Sequence, residues 1–153
     1  MNTNKGIISL VESHLYSYLY MEGVILNIKE KYLVDEKDIN SWIKSKGKIN
    51  RGVENEVIKK IQMDEEIEYE IKWHLVIKKV INIFKEKNQQ EKIRYIKLKY
   101  FKNSSTTKIE MEMAICRPAQ SRIKSEIIYY IALYAVKEDL ISVDELQELN
   151  YNR

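Results

Sequence analysis

The chain predicts an all-α protein: an N-terminal helical hairpin followed by a C-terminal helix-turn-helix. Three observations carry this reading. Glycine and proline are scarce, four and one in 153 residues, so the tight turns that a many-stranded sheet needs are missing. Apolar residues recur at spacings of three and four over long stretches, the period of a helix with one face in a core. Residues 91–134 read as a helix, a Ser/Thr-rich break, a very short helix, a tight corner and a longer helix with basic residues at its start.

The first helix is expected over residues 7–33, where Gly23 is the sole interior breaker after the start. Val11, Tyr18, Ile25 and Tyr32 repeat every seven residues, with His14, Met21 and Ile28 between them. That period suits a helical seam, and self-association as a homodimer through this helix is one expectation. Leu15, Leu19, Leu26 and Leu33 add a second apolar strip, which suits burial inside a bundle. Residues 34–52 have no sustained period and read as a connector, with a helical turn near Ile39–Ile43 and Trp42 as its anchor. Helix returns over 53–87. Val57, Ile58 and Ile61 form one patch, and Tyr69, Trp73, Ile77, Val80 and Phe84 form a stripe. Asp64, Glu65, Glu66, Glu68 and Glu70 precede or overlap that stripe. Carboxylates suit a helix N-terminus, and five in seven helical residues point around the whole axis rather than at one metal or acid/base site.

The polar run at Lys87–Gln90 marks a hinge, dividing an N-terminal hairpin domain, 7–87, from a helix-turn-helix domain, 88–149. Ile93, Ile96 and Tyr100 give the inner side of the next helix. Thr107 with Glu110 fits a capping box for the short helix, with Ser105 as the alternative cap. Ile109 and Met113 face inward, Ala114 is small where the chain turns sharply, Ile115 fills the corner, and Pro118 sits in the first turn of the long helix. Ile123, Ile127, Tyr130, Ile131 and Tyr134 mark that helix's core face. Ser142 with Glu145 is a second capping box, with Ile141 stapled onto Leu146, and a last short helix runs to about Leu149.

The chemistry this composition excludes is broad. With 44% hydrophobic and 32% charged residues, the chain suits one domain or two small ones. Its uncharged runs fall short of the ~20 residues that cross a bilayer, and no leader opens it. A cytoplasmic protein with no membrane contact is expected. Cys116 is the single cysteine, so no disulfide forms within the chain. No phosphate-cradling glycine loop, H-E-x-x-H or C-x-x-C is present. His14 and His74 read as structural, and Cys116 lacks a partner base. No enzyme activity, catalytic residue, metal or cofactor is expected.

Charge distribution points elsewhere. From Asn88 to Ser125 there are nine Lys/Arg against three acids, whereas residues 1–87 are near balance and the tail beyond is acidic. A local basic field attracts a phosphate backbone. The second helix of a helix-turn-helix enters the major groove of double-stranded DNA. On that reading Arg117, Ser121 and Arg122 face base edges, Lys124 lies nearer a phosphate, and Ser125 follows one turn on. Thr106 and Thr107 offer hydroxyls and backbone N–H groups to phosphates.

The segment RYIKLKYF…IEMEMAICRPAQSRIKSEII resembles the C-terminal half of RinA/ArpU-type transcriptional regulators of phages and prophages, a half that looks like region four of bacterial sigma factors. VESHLYSYLYMEGVILNIKEKYL is similar to that family's opening helix. The resemblance covers about residues 10–135, with Arg122 to Ile128 its most specific part. It implies a phage-type regulator, an activator of late or packaging genes that contacts promoter DNA and RNA polymerase. Glu110 and Gln120 depart from the pattern, each standing where a small residue is usual. They are expected to pair with each other, or to open the helix crossing. The same architecture suits a small terminase subunit or a helical protein-interaction module.

Overall fold

The computed structural model describes residues 3–32 and 65–151, and all its regular elements are helical. They are α1 (Thr3–Tyr16), α2 (Tyr18–Tyr32), α3 (Glu65–Glu86), α4 (Gln90–Ile96), a π-helical turn at Lys97–Phe101, α5 (Thr106–Met113), α6 (Arg117–Lys137) and α7 (Val143–Tyr151). The all-α class is therefore as the sequence predicts. The connector with Trp42, the patch of Val57, Ile58 and Ile61, Leu33 and Asp64 lie outside the described residues.

The expected first helix is two, with a break at Ser17. The backbone ladder barely parts: Ser17 N–H reaches Ser13 O at 3.1 Å and Met21 N–H reaches Ser17 O at 2.9 Å. Ser17 Oγ donates to the His14 carbonyl at 3.3 Å, a back-bond of the kind that bends helices. The seven-residue stripe lies inside this chain: Val11, His14, Tyr18, Met21 and Ile25 are all buried. Those side chains are thereby spent on the chain's own core, and Ile28 further along the stripe is half-buried. The second strip splits, with Leu15 buried and Leu19 and Leu26 exposed.

Across from α1 and α2, the α3 stripe of Trp73, Ile77, Val80 and Phe84 is buried as its spacing requires, while Tyr69 at its start stays largely exposed. Aromatic contacts fix the packing. His14 stacks on Trp73 at 4.6 Å, and Tyr18 lies flat against both His74 and Phe101, at 4.4 and 5.2 Å. Flat and edge-on ring pairs of this kind add ~0.5–1.5 kcal/mol beyond their burial.

Among the described residues, four outside glycine take left-handed backbone: Asn88, Asn103, Ala114 and Asp139. Each follows the end of a helix. After α3, Gln89 N–H reaches back to Phe84 O at 2.8 Å, and after α6, Leu140 N–H reaches Ala135 O at 2.9 Å. These bonds satisfy carbonyls that a helix end leaves open. Asn and Asp tolerate the left-handed region, so a glycine-poor chain can stop its helices with them.

One core joins both halves of the chain. It unites Val11 and Leu15 of α1, Trp73 and Phe84 of α3, Ile93 and Ile96 of α4, Ile127 and Ile131 of α6, and Leu149 of α7. The hinge expected at Lys87–Gln90 is present as a turn, but it divides two helices and not two cores. A small satellite cluster of Met21, Ile25 and Ile71 extends the packing between α2 and α3. The last helix has the reciprocal cap read from sequence: Glu145 N–H to Ser142 Oγ at 3.1 Å, and Ser142 N–H to Glu145 Oε1 at 3.4 Å.

Candidate nucleic-acid interface

Between the well-buried α4 and α6 lies α5, a short helix that buries little. The π-helical turn ends α4 and keeps both Leu98 and Tyr100 buried. Two positions apart on a regular α-helix point about 200° from each other, so the widened turn brings both into the core. It also aims the Tyr100 hydroxyl at α1, where it donates to Glu12 Oε2 at 2.8 Å. Burial first, then that hydrogen bond to Glu12 and its charge, pushes the Tyr100 pKa far above its ordinary value. Tyr95 alongside is pushed up to about 12, chiefly by burial.

Helix α5 is capped by Ser105, whose Oγ accepts from Lys108 N–H at 3.1 Å. The Thr107–Glu110 box therefore does not form. Thr106 and Thr107 are already inside the first turn, which places Glu110 too far along to reach back. Ile109 is the only fully buried side chain of α5, so polar ties hold this helix. Arg94 Nη2 on α4 donates to the Glu112 carbonyl at 3.0 Å, placing a cation at the helix C-terminus where the dipole favours it. Gln120 on α6, only 4% exposed, donates from Nε2 to the Thr106 carbonyl at 3.1 Å. The polar residue at the tight crossing is thus satisfied by backbone. The expected Glu110–Gln120 pair is absent, and Glu110 lies instead 3.9 Å from Arg117 Nε.

The corner between α5 and α6 turns at Ala114, with φ 54° and ψ 44°. Its methyl is the smallest side chain that still meets the left-handed penalty, ~1–2 kcal/mol. Cys116 then takes extended backbone as the α6 N-cap, and Pro118 occupies the first turn. Ile123, Ile127 and Ile128 point into the core, and Lys92 on α4 grips α6 through Glu126 at 3.0 Å.

This leaves the first two turns of α6 with one outward face. Arg117, Pro118, Ser121, Arg122 and Ser125 are all exposed, as are Thr106 and Thr107 across the corner. Arg122 makes no hydrogen bond or ion pair among the described residues. Among the described residues Arg117 has only the long, exposed approach of Glu110, a contact worth little in water. Lys124 departs from expectation. It turns back onto α1 and pairs with Glu12 Oε1 at 3.4 Å, because α1 packs along the flank of α6 and brings that carboxylate within reach. Glu12 so ties Tyr100 and Lys124 together. No short-range pattern flagged it, since its partners lie 88 and 112 positions away.

Among the described residues no group of His, Cys, Asp or Glu is placed to hold a metal ion, and no helix is long and apolar enough to cross a membrane. Cys116 is exposed and free. No known protein family, curated protein or solved structure matches the chain.

Proposed function

We propose that α5, the corner at Ala114 and α6 form a helix-turn-helix that binds double-stranded DNA, and that the protein is a transcriptional regulator of phage or prophage type. The observation that carries this reading is the outward face of α6. Two arginines and two serines project from the start of a helix whose opposite side is locked into the core. Arginine bonds bidentately to guanine in the major groove, and serine bonds to several base edges. The uncapped N–H groups of Thr106 and Thr107 suit phosphates flanking the site. The resemblance to RinA/ArpU-type regulators supports the same assignment and adds its expected partner, RNA polymerase, and its role as an activator of late or packaging genes.

The contacts around Lys124 refine the roles within that face. Arg117, Ser121, Arg122 and Ser125 are the readers. Lys124 serves to hold α6 on α1. The test is a fluorescence titration of labelled duplex fragments from the host genome at low and moderate salt. Wild-type protein should bind, and the Arg117→Ala/Arg122→Ala variant should lose most of that affinity. Equal binding by both proteins would show that this face is not the reader.

A further inference from the structure

The exposed side of α2 carries large apolar side chains, and of these Tyr16 alone rests on a ring of the chain, edge-on to Tyr100 at 4.9 Å, among the described residues. Tyr20 is 74% exposed, Leu26 54%, Leu19 49% and Tyr16, at the end of α1, 47%. Residues three and four apart share a helix face, so Tyr16, Leu19, Tyr20, Gly23, Leu26, Asn27 and Glu30 form one strip. Gly23 sits at its centre. A glycine inside a helix costs roughly 1 kcal/mol relative to alanine. Here its φ is not positive, and a Cβ added to it would meet nothing within 4 Å. Among the described residues, neither backbone geometry nor packing requires glycine at this position. A second helix crossing closely at that point would.

The strip is also symmetric about that glycine. In an antiparallel pair of α2 helices crossing at Gly23, Tyr16 of one copy lies opposite Glu30 of the other. Leu19 lies opposite Asn27, and Tyr20 opposite Leu26. Leu19 meets the smaller Asn27, Tyr20 and Leu26 pack on each other beside the glycine, and the Tyr16 hydroxyl has a carboxylate to donate to. Self-complementarity of this kind is what a two-fold interface demands. We propose that the exposed face of α2 is a homodimer interface, with a second copy of this chain crossing antiparallel at Gly23. The proposal is independent of the DNA reading.

The interface is small. Stable complexes bury ~800 Å² per partner, and four large side chains approach that only in part, so the dimer forms reversibly at micromolar concentration and above.

Its register makes a direct test possible. The single native cysteine is first removed as Cys116→Ser, which leaves a competent N-cap. Gly23→Cys in that background then puts a thiol on the two-fold axis, in open space. Mild oxidation without DNA should convert it to a disulfide-linked dimer at least tenfold faster than the same background carrying Glu91→Cys, an exposed position on α4. In sedimentation of otherwise native protein, wild type should show a concentration-dependent dimer and Tyr20→Glu/Leu26→Glu a monomer of unchanged helicity. Crosslinking of Gly23→Cys no faster than the Glu91→Cys control, or a wild type that stays monomeric at 100 µM (a concentration of order 100 times the ~1 µM scale of modest affinities), would overturn the proposal. The face would then belong to another partner or another part of the same chain.

Discussion

The packing of α3 against α1, α2 and α6, and the packing of α5 against α4 and α6, solve the same problem by different means. Along α3, long helices meet through large rings: Trp73 on His14, His74 on Tyr18, Phe84 against Tyr130. A polar tie joins the same faces, His14 Nδ1 to Glu70 at 3.1 Å. Helix α5 has eight residues and one fully buried side chain. It is held by donors aimed at its backbone, from Arg94 at its end and Gln120 at its start. Burial stabilises in proportion to apolar area, so a helix that must keep most of its surface free gains little from it. Directed hydrogen bonds hold such a helix without covering it. That is how a corner can be rigid and still offer a face to a ligand.

The comparison can be broken first at its ring-packed side. Trp73→Ala should cost about 3–5 kcal/mol, the usual toll for truncating a large core ring. Because one core joins both halves, near-ultraviolet dichroism of the rings and far-ultraviolet helicity should be lost in a single urea transition. Two separated transitions would mean that α4 to α7 fold by themselves.

At the polar side the losses should be smaller and local. Gln120→Ala leaves the Thr106 carbonyl without its cross-helix donor and opens a small void, so about 1–2 kcal/mol is expected. Amide exchange should quicken in α5 well before it does in α3. An unchanged exchange pattern in α5 would show that Gln120 does not hold the corner.

The corner itself allows a change of opposite sign. Ala114→Gly removes the left-handed penalty and should raise stability by up to ~1 kcal/mol, while Ala114→Val at the same position should lower it. Thermal melts of the pair check both signs. Removing the terminal cap with Ser142→Ala should cost ~1 kcal/mol and leave the corner untouched.

The smallest effect expected is a pH dependence seated in the ring-packed region. Burial pulls the His14 pKa below its ordinary 6.5, outweighing the charge and hydrogen bond of Glu70, which raise it. The folded state thus prefers the neutral ring, and the unfolded chain takes up the proton first as pH falls. The stability tied to this group is complete above about 6.5 and drains away as pH drops from there through the folded-state value. Melting temperatures of wild type and His14→Gln should therefore converge as the pH is lowered from 7.5 to 5. A constant difference across that range would contradict the assignment.

Much of this was legible in the residues. The period-four stripe of α3, the core face of α6 and the Ser142–Glu145 cap depend on neighbours within a few positions, and the helix rules read them directly. The left-handed stops at Asn88, Asn103 and Asp139 were equally local, yet a polar residue after a helix is too common to single them out. What escaped depends on distance along the chain. Lys124 looks like a free phosphate contact until Glu12 is brought beside it. Gln120 looks unsatisfied until the Thr106 carbonyl is placed opposite. The seven-residue stripe of the first helix fits a seam between copies and a core within one chain equally well, and the contacts of α3 with that stripe decide for the core. Among the candidate site residues, those that remain exposed are the ones whose helical position alone determined their direction.

The measurement that bears most directly on the central claim is a map of backbone amide shifts in labelled protein on adding duplex DNA that contains a bound site. If α6 reads DNA from the corner, the largest changes fall on Thr106 to Lys108 and Arg117 to Ser125, with the side-chain signals of Arg117 and Arg122 shifting alongside. Glu12 and Lys124 should move less, since their ion pair stays closed. Changes centred instead on Tyr16 to Glu30, or scattered along the lysines of α4 and its π-helical turn with α6 silent, would contradict a reading role for α6.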